Sequence, residues 1–435
     1  MPAEQGHHFL TNFGGMPLPS KKHSVSNDVA AGLMPVSEAL ARIKQGVSRV
    51  ASTEMAPLHA ALGRVLAKDL LAKLRVPAFD NAAVDGWAAN SVDLSVTEPV
   101  RLPIGGRIAA GHPLQEPPKS GQVYRIFTGA PVPPELNIVL AQEVCQQEGD
   151  QVLLPQGQKI GINIRKAGES VGLGQTVLQA GVRLGPQHIG VAASIGLQRL
   201  PIRRRLRVAI FSNGDELREP GQRLKAGCLF DANRYSLVGM LTGLGCVVSD
   251  LGILPDEFTA IRDAVIQAVT THDLVITSGG VSVGAEDHVK SVLRALGQLH
   301  LWRLAVKPGK PLAFGEIQGV PFLGLPGNPV AAMVSFCLFA RPLIDILAGA
   351  LPREPRRYFL PAAFAMAKAA GLREYPRARI LDSEFGPVVR LFPRDSSAIL
   401  TSMTEADGLI ELPEAAATIG PGDMVAFLPF SEMMV

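Results

Sequence analysis

Three short polar stretches carry the residue types that handle phosphates and other oxyanions. "FSNGDELREPG" sets Asp215 and Glu216 just behind an apolar run. "LVITSGGVSVGAEDHV", residues 274–289, places Gly279, Gly280 and Gly284 behind a second run and follows them with Glu286 and Asp287. "VKPGKPLAFG" flanks a Pro-Gly turn with Lys307 and Lys310. Backbone N–H groups freed by glycines at the start of a helix form an anion nest. The glycine stretch is neither a P-loop nor a GxGxxG fingerprint, and "SGG" alone is equally an ordinary strand-to-helix turn. Acids directly behind a phosphate nest repel the ligand unless a divalent cation bridges them. Mg²⁺ suits that task, because it binds phosphates through a few carboxylates and retained waters. The two lysines supply charge for a second anion; without the neighbouring clusters they read as solvated surface lysines.

An alternating α/β pattern must hold these stretches. "RVAIFS", "CVVSDLGIL" and "DLVITSGG" read as strands, and "RYSLVGMLTGLG", "DEFTAIRDAVIQAVTTH" and "DHVKSVLRALG" as helices, the second with a cap at Asp256. Further strands are expected near 301–306 and 312–317, and "PVAAMVSFCLFARPLIDILAG" closes the unit as a helix. Strands alternating with helices imply a doubly wound, mostly parallel sheet, whose ligands collect at the carboxyl ends of the strands. All three polar stretches fall at such ends.

The rest of the chain has a different texture. A length of 435 residues exceeds one core and implies two to four domains. Residues 1–32 form a polar extension without periodicity, in which His7-His8 reads as chance rather than a ligand pair. Ser37 is expected to cap a helix whose face carries Ala39, Leu40, Ile43 and Val47. Segments 33–71 and 175–202 flank a separate unit, and the first helix is free to pack on the α/β domain. Residues 72–174 read as a small β-domain, 203–352 as the α/β domain and 353–435 as a C-terminal β-domain. Arg203-Arg204-Arg205 reads as a solvated run at a domain junction.

Composition narrows the function classes. A net charge of +3 gives no electrostatic case for nucleic acid or an anionic membrane. Four scattered cysteines argue against a zinc site or a disulfide framework and fit a reducing compartment. No run is read as long enough for a membrane span and no signal peptide is evident, so the cytoplasm is expected.

The ordered set "PAFDNAAVDGWA", "RIFTGAPVP", "NIRKAGES", "FSNGDELREPG", "TSGGVSVGAEDHV", "KPGKP" and "GLPGNPV" resembles the MoeA family, the molybdopterin molybdenumtransferases, which includes the C-terminal domain of gephyrin. Each motif is loose alone; together and collinear over about residues 33–430 they are specific. The resemblance implies a multidomain α/β chain: a doubly wound MogA/MoaB-like domain, two small β-domains (the C-terminal one a barrel) and an elongated linking domain. It implies a homodimer, insertion of molybdate into adenylylated molybdopterin, and Mg²⁺-dependent release of AMP. Contacts with a MogA-like adenylyltransferase and with molybdoenzymes are further implied.

By the same resemblance, Ser278, Gly279, Gly280 and Ser282 bind the pterin phosphate, and Glu216 and Asp287 hold the metal. Lys307 and Lys310 bind molybdate. Asp85 and Thr128 complete the cleft from the partner subunit, and Arg377 with Ser397 or Ser402 loosely match anion-contacting positions. Four positions depart from the family pattern: Ser170 replaces an acid, Ala331 a serine, Asn213 a threonine and Ala82 a serine. Ser170 and Ala331 motivate two alternatives, a non-catalytic molybdopterin-binding scaffold and a paralogue preferring another anion such as tungstate. An enzyme sharing only the α/β domain, such as the adenylylating partner or a CinA-type pyrophosphatase, conflicts with the matches in both β-domains.

Overall fold

The computed structural model describes residues 32–280, 288–415 and 418–434; the His7-His8 pair lies outside them. Its centre is a six-stranded sheet built from β1 (Arg207–Asn213), β2 (Val247–Leu254), β3 (Leu274–Ser278), β4 (Gly297–Arg303), β5 (Pro311–Ile317) and β6 (Val320–Leu325). Four helices cover it: α1 (Asn233–Gly243), α2 (Phe258–Val269), α3 (His288–Leu296) and α4 (Pro329–Ala348). The strand order is β2-β1-β3-β6-β5-β4. The first four of these run parallel, and β5 is antiparallel to both its neighbours.

Strand alternation sorts the core onto two faces. Val208, Ile210, Leu274 and Ile276 pack under α1 and α4, with Leu237, Leu241, Val330 and Val334. Ala209, Phe211 and Val275 pack under α2 and α3, with Ile261, Val265, Val289 and Leu293. Both faces of β1 and β3 are therefore buried, which is why these strands read as unbroken apolar runs. Parallel pairing puts Ser212 beside Ser278 and Ser278 beside Leu325, so three strand ends finish level.

The structure corrects several expectations here. The strand β6, in "VPFLGLPGNPV", was not among the expected strands. It is fixed by a two-residue hairpin turn in which Gln318 and Gly319 both take positive φ, 52° and 81°. Asp256 does not cap α2, which begins after Glu257 without a side-chain cap; its carboxylate instead accepts from Asn213. Ser37 lies inside the helix Val36–Gly46, which starts after Pro35. The arginine run is exposed at Arg205 but half-buried at Arg203 and Arg204, and all three side chains are hydrogen-bonded. Arg204 makes two bonds to Asp273, 2.6 and 2.7 Å. Arg203 donates to Thr53 Oγ1 and the Ala67 carbonyl, and Arg205 to the Gly245 carbonyl. The 20 residues of α4 are apolar enough, at mean hydropathy 1.9, to match a membrane span in length and composition. In the fold this helix is 78% buried, as a core element.

Three further units attach to this centre. The helix Val36–Gly46 packs Val36, Ala39 and Ile43 into the α1/α4 core. A ribbon pairs Thr53–Pro57 with Arg199–Arg203, so the chain leaves and returns along the same path. Between these passes sits a six-stranded unit containing Gly86–Ala89, Val123–Ile126 and Ile138–Ala141, in which Trp87 is a buried packing residue. The C-terminal unit is a five-stranded antiparallel sheet, including Arg377–Ser383 and Gly408–Glu411. Its segment Arg373–Glu374 pairs with Val306–Lys307, stitching it to the lysine turn.

Candidate active site

A cleft of about 970 Å³ opens where β1, β3 and β6 end, between the α/β and C-terminal units. Its floor is the glycine turn after β3. Gly279 and Gly280 take φ of +97° and +63°, a region that side chains disfavour. A Cβ on Gly279 would stand 2.8 Å from the Asn213 carbonyl oxygen, and one on Gly280 2.5 Å from Asn213 Nδ2. Glycine is therefore required at both positions by conformation and by space.

Asparagines hold the floor in place. Asn213 Nδ2 donates to Asp256 at 3.0 Å, joining the ends of β1 and the β2–α2 connection. Asn233, at the start of α1, donates to Ser278 Oγ at 2.9 Å and to the Gly327 carbonyl at 2.7 Å. Ser278 Oγ in turn donates to the Pro326 carbonyl at 3.3 Å. The nest is thus braced from three connections at once. Neither Asn233 nor the role of Asp256 was legible in the sequence, since both partners lie more than 40 positions away.

Glu216 lines the mouth of the cleft, exposed, and its carboxylate folds back over Gly214, where a Cβ would meet Oε2 at 2.6 Å. Among the described residues this carboxylate has no hydrogen-bond or ion-pair partner. The other acids that line the cleft are committed. Asp256 binds Asn213, Asp231 binds Arg234 and Asp395 binds Lys307. Ser282, Glu286 and Asp287 lie outside the described residues. Within those residues no group of three or more metal-ligating side chains occurs.

The two lysines differ. Lys307 Nζ is 2.6 Å from Asp395 and 3.4 Å from Glu374. Burial works against its charge, but the two carboxylates outweigh it and hold the lysine pKa above its ordinary value. Lys310 is half-buried in the cleft wall and has no carboxylate partner among the described residues. Ala331 contributes a methyl group to the wall, near the start of α4.

Of the C-terminal positions, Arg377 and Ser397 line the cleft and Ser402 does not. Ser402 is fully buried, accepts from Arg377 Nε at 3.1 Å and donates to the Ile399 carbonyl. Arg377 is itself 2% exposed and donates to the carbonyls of Arg394 and Ser396, both at 3.0 Å. Burial lowers its pKa, with Asp395 opposing. Arg377 therefore shapes the 394–397 loop, and Ser402 orients Arg377.

Asp85 and Thr128 form a separate clamp on the 72–174 unit. Asp85 Oδ1 accepts from the Thr128 amide at 2.8 Å and from its hydroxyl at 2.7 Å. The amide, then the hydroxyl, lower the pKa of this carboxyl. Close by, Asp80 accepts from Lys166 Nζ at 2.7 Å and from the Ala167 amide at 2.8 Å, so "PAFDNAAVDGWA" and "NIRKAGES" are knotted together. No described residue of 72–174 lines the cleft of the same chain.

Comparison with known proteins follows this division. Residues 34–196 match the MoeA N-terminal region (domain I and II), 209–345 a probable molybdopterin binding domain, and 355–430 the MoeA C-terminal region (domain IV). The chain is 35% identical over 405 residues to the molybdopterin molybdenumtransferase of Haemophilus influenzae, covering 92% of this chain and 100% of that protein. The chain belongs to the MoeA family. Molybdopterin molybdenumtransferase 2 of Mycobacterium tuberculosis is 34% identical, across 84% of this chain and 92% of that one. The crystal structure of the molybdopterin biosynthesis MoeA protein of Pyrococcus horikoshii superposes with a TM-score of 0.81 at 27% identity, over 91% of this chain and 100% of that one. The Asp85–Thr128 clamp thus lies in the MoeA N-terminal match. The nest, Glu216 and both lysines lie in the probable molybdopterin binding domain, and Arg377 and Ser397 in the MoeA C-terminal match.

Proposed function

We propose that this MoeA-family chain is a transferase of molybdenum cofactor biosynthesis, inserting molybdate into adenylylated molybdopterin with release of AMP. One observation carries the reading: a single cleft of about 970 Å³ brings together an anion nest, an uncommitted carboxylate and a lysine without a described counter-ion. That volume is in the range that encloses a nucleotide-sized ligand. The Gly280 amide in the turn Ser278–Gly279–Gly280, with Ser282 beyond it, would receive the pterin phosphate, since the Gly279 amide is taken by the Leu325 carbonyl at 3.1 Å. Lys307 and Lys310 would bind molybdate, a tetrahedral dianion, from the opposite wall.

The residues present fit a hydrated Mg²⁺, which keeps several waters and needs only one or two carboxylates beside phosphate oxygens. Glu216 would hold it with Asp287, and when bound it supplies positive charge at the phosphoanhydride as AMP leaves. The chain's own part is positional. The braced nest fixes the phosphate, Lys310 neutralises the oxyanion, and Arg377 holds Ser397 against it.

Asp85 and Thr128 act on this cleft only if a second copy of the chain brings them there. We therefore read the functional unit as a homodimer in the cytoplasm, with each cleft built from two subunits. The family pattern and the absence of described 72–174 residues from the cleft of one chain support that reading.

The test is AMP release from adenylylated molybdopterin with molybdate and Mg²⁺, run beside tungstate because Ala331 lacks a hydroxyl. The wild-type chain should release AMP, and Glu216→Ala should lower the rate by about two orders of magnitude, the scale for losing a charged group at a reacting phosphate. Release that is independent of the oxyanion, or equal in Glu216→Ala, sinks the proposal.

A further inference from the structure

Asp395 lies between two cations of the cleft wall. Its carboxylate sits 2.6 Å from Lys307 Nζ on one side, and 3.7 Å from Arg377 Nη1 on the other. A carboxylate between an ammonium and a guanidinium presents the oxygens and charge that an incoming tetrahedral anion presents. The contact spans two units of the fold, joining the lysine turn to the 394–397 loop.

The surroundings let this carboxylate leave without disturbing its neighbours. Its side chain is 58% exposed, while the loop backbone beneath it is pinned by Arg377 through the carbonyls of Arg394 and Ser396. Rotation of one short side chain therefore opens the site with the backbone unmoved. Lys307 keeps a second partner, the buried Glu374 at 3.4 Å, so its ammonium stays in place when Asp395 departs.

We infer that Asp395 is an internal counter-anion of the oxyanion pocket, displaced when an oxyanion binds and thereby setting its affinity. The inference rests on the reading of the cleft as an oxyanion site. An anion binds only the fraction of molecules in which Lys307 has been released, and its apparent affinity falls by that fraction. For a pair this exposed, the closed state is favoured by about fivefold.

Tungstate and perrhenate, tetrahedral anions of similar size carrying two charges and one, serve as probes in calorimetric titrations of the full chain. Asp395→Asn and Asp395→Ser should each tighten both anions by about fivefold, because removal of the competitor is independent of ligand charge. Two variants are used so that poor folding of one leaves the other informative. A larger gain for tungstate than for perrhenate would mean repulsion by a carboxylate that stays in place, and overturns displacement. Unchanged or weaker binding in both variants overturns the inference as well, the latter making Asp395 a positioning residue for Lys307. Lys310→Ala is measured in parallel and should weaken binding at least tenfold. Binding of wild-type strength in Lys310→Ala, or no binding in any of the proteins, overturns the cleft reading itself.

Discussion

Substituting Gly280 with alanine tests whether the nest is built as described. At φ +63° an L side chain costs about 1–2 kcal/mol. The new Cβ would also stand 2.5 Å from Asn213 Nδ2 and 2.7 Å from Val289 Cγ2. Relieving that overlap moves Asn213 off Asp256 or shifts α3, an overpacking cost of about 1–3 kcal/mol. The sum is about 2–5 kcal/mol, against Gly227→Ala as a control. Gly227 has a similar φ of +78° but nothing within 4 Å of its Cβ, so only the backbone cost applies. Amide hydrogen exchange of peptides spanning β1 and β3 reads the opening free energy of these strands. Gly280→Ala should speed their exchange by roughly thirtyfold or more, and by at least about fivefold more than Gly227→Ala does. Equal effects of the two substitutions would show that Asn213 and Val289 do not crowd Gly280, and would refute the braced floor.

Two other outcomes follow from the structure. Asp273 is buried and its pKa is lowered: burial raises it, but the bonds from Arg204 and from the Arg207 amide outweigh that. A depressed folded pKa gives stability that is present above the unfolded value of about 3.9 and lost as pH falls through the folded value. Asp273→Asn should therefore cost about 3 kcal/mol at neutral pH, and progressively less as the pH falls below the unfolded value, by calorimetric unfolding; a loss that does not shrink on acidification contradicts the assignment. Second, mixing Asp85→Asn with Glu216→Ala should restore AMP release to about a quarter of wild type if one cleft draws on two chains, by statistical pairing of the subunits. No recovery after mixing and subunit exchange would place both residues in the service of one chain.

The residues that bind were more legible than the residues that position them. Glu216, Gly279, Gly280, Lys307 and Lys310 could be placed at one cleft because parallel strands with buried faces announce themselves as apolar runs, and ligands gather at their ends. Asn233, Asp256 and Asp395 were not, because their work depends on partners 43 to 94 positions away. Local patterns misled in a consistent way. Asp256 and Ser37 looked like helix caps, yet tertiary bonds claimed the first and the helix began before the second. The strand β6 was hidden by Pro321 and Gly324, residues that penalise an isolated strand; burial between β3 and β5 outweighs that penalty. The bonds of Arg203, Arg204 and Arg205 could not be read from the sequence, because Thr53, Gly245 and Asp273 lie far from them. Ser402 resembled an anion contact by position, and its distance from the cleft could be seen only once Arg377 was in place between them.

The most direct measurement is the molybdate dependence of AMP release in wild type and in Lys310→Ala at saturating adenylylated molybdopterin. Half-saturation by molybdate should rise at least tenfold in the variant, the loss of one charge-assisted contact, while half-saturation by the pterin substrate, read at saturating molybdate, should be unchanged. A Lys310→Ala chain with the wild-type molybdate response would contradict the assignment of this cleft to oxyanion transfer.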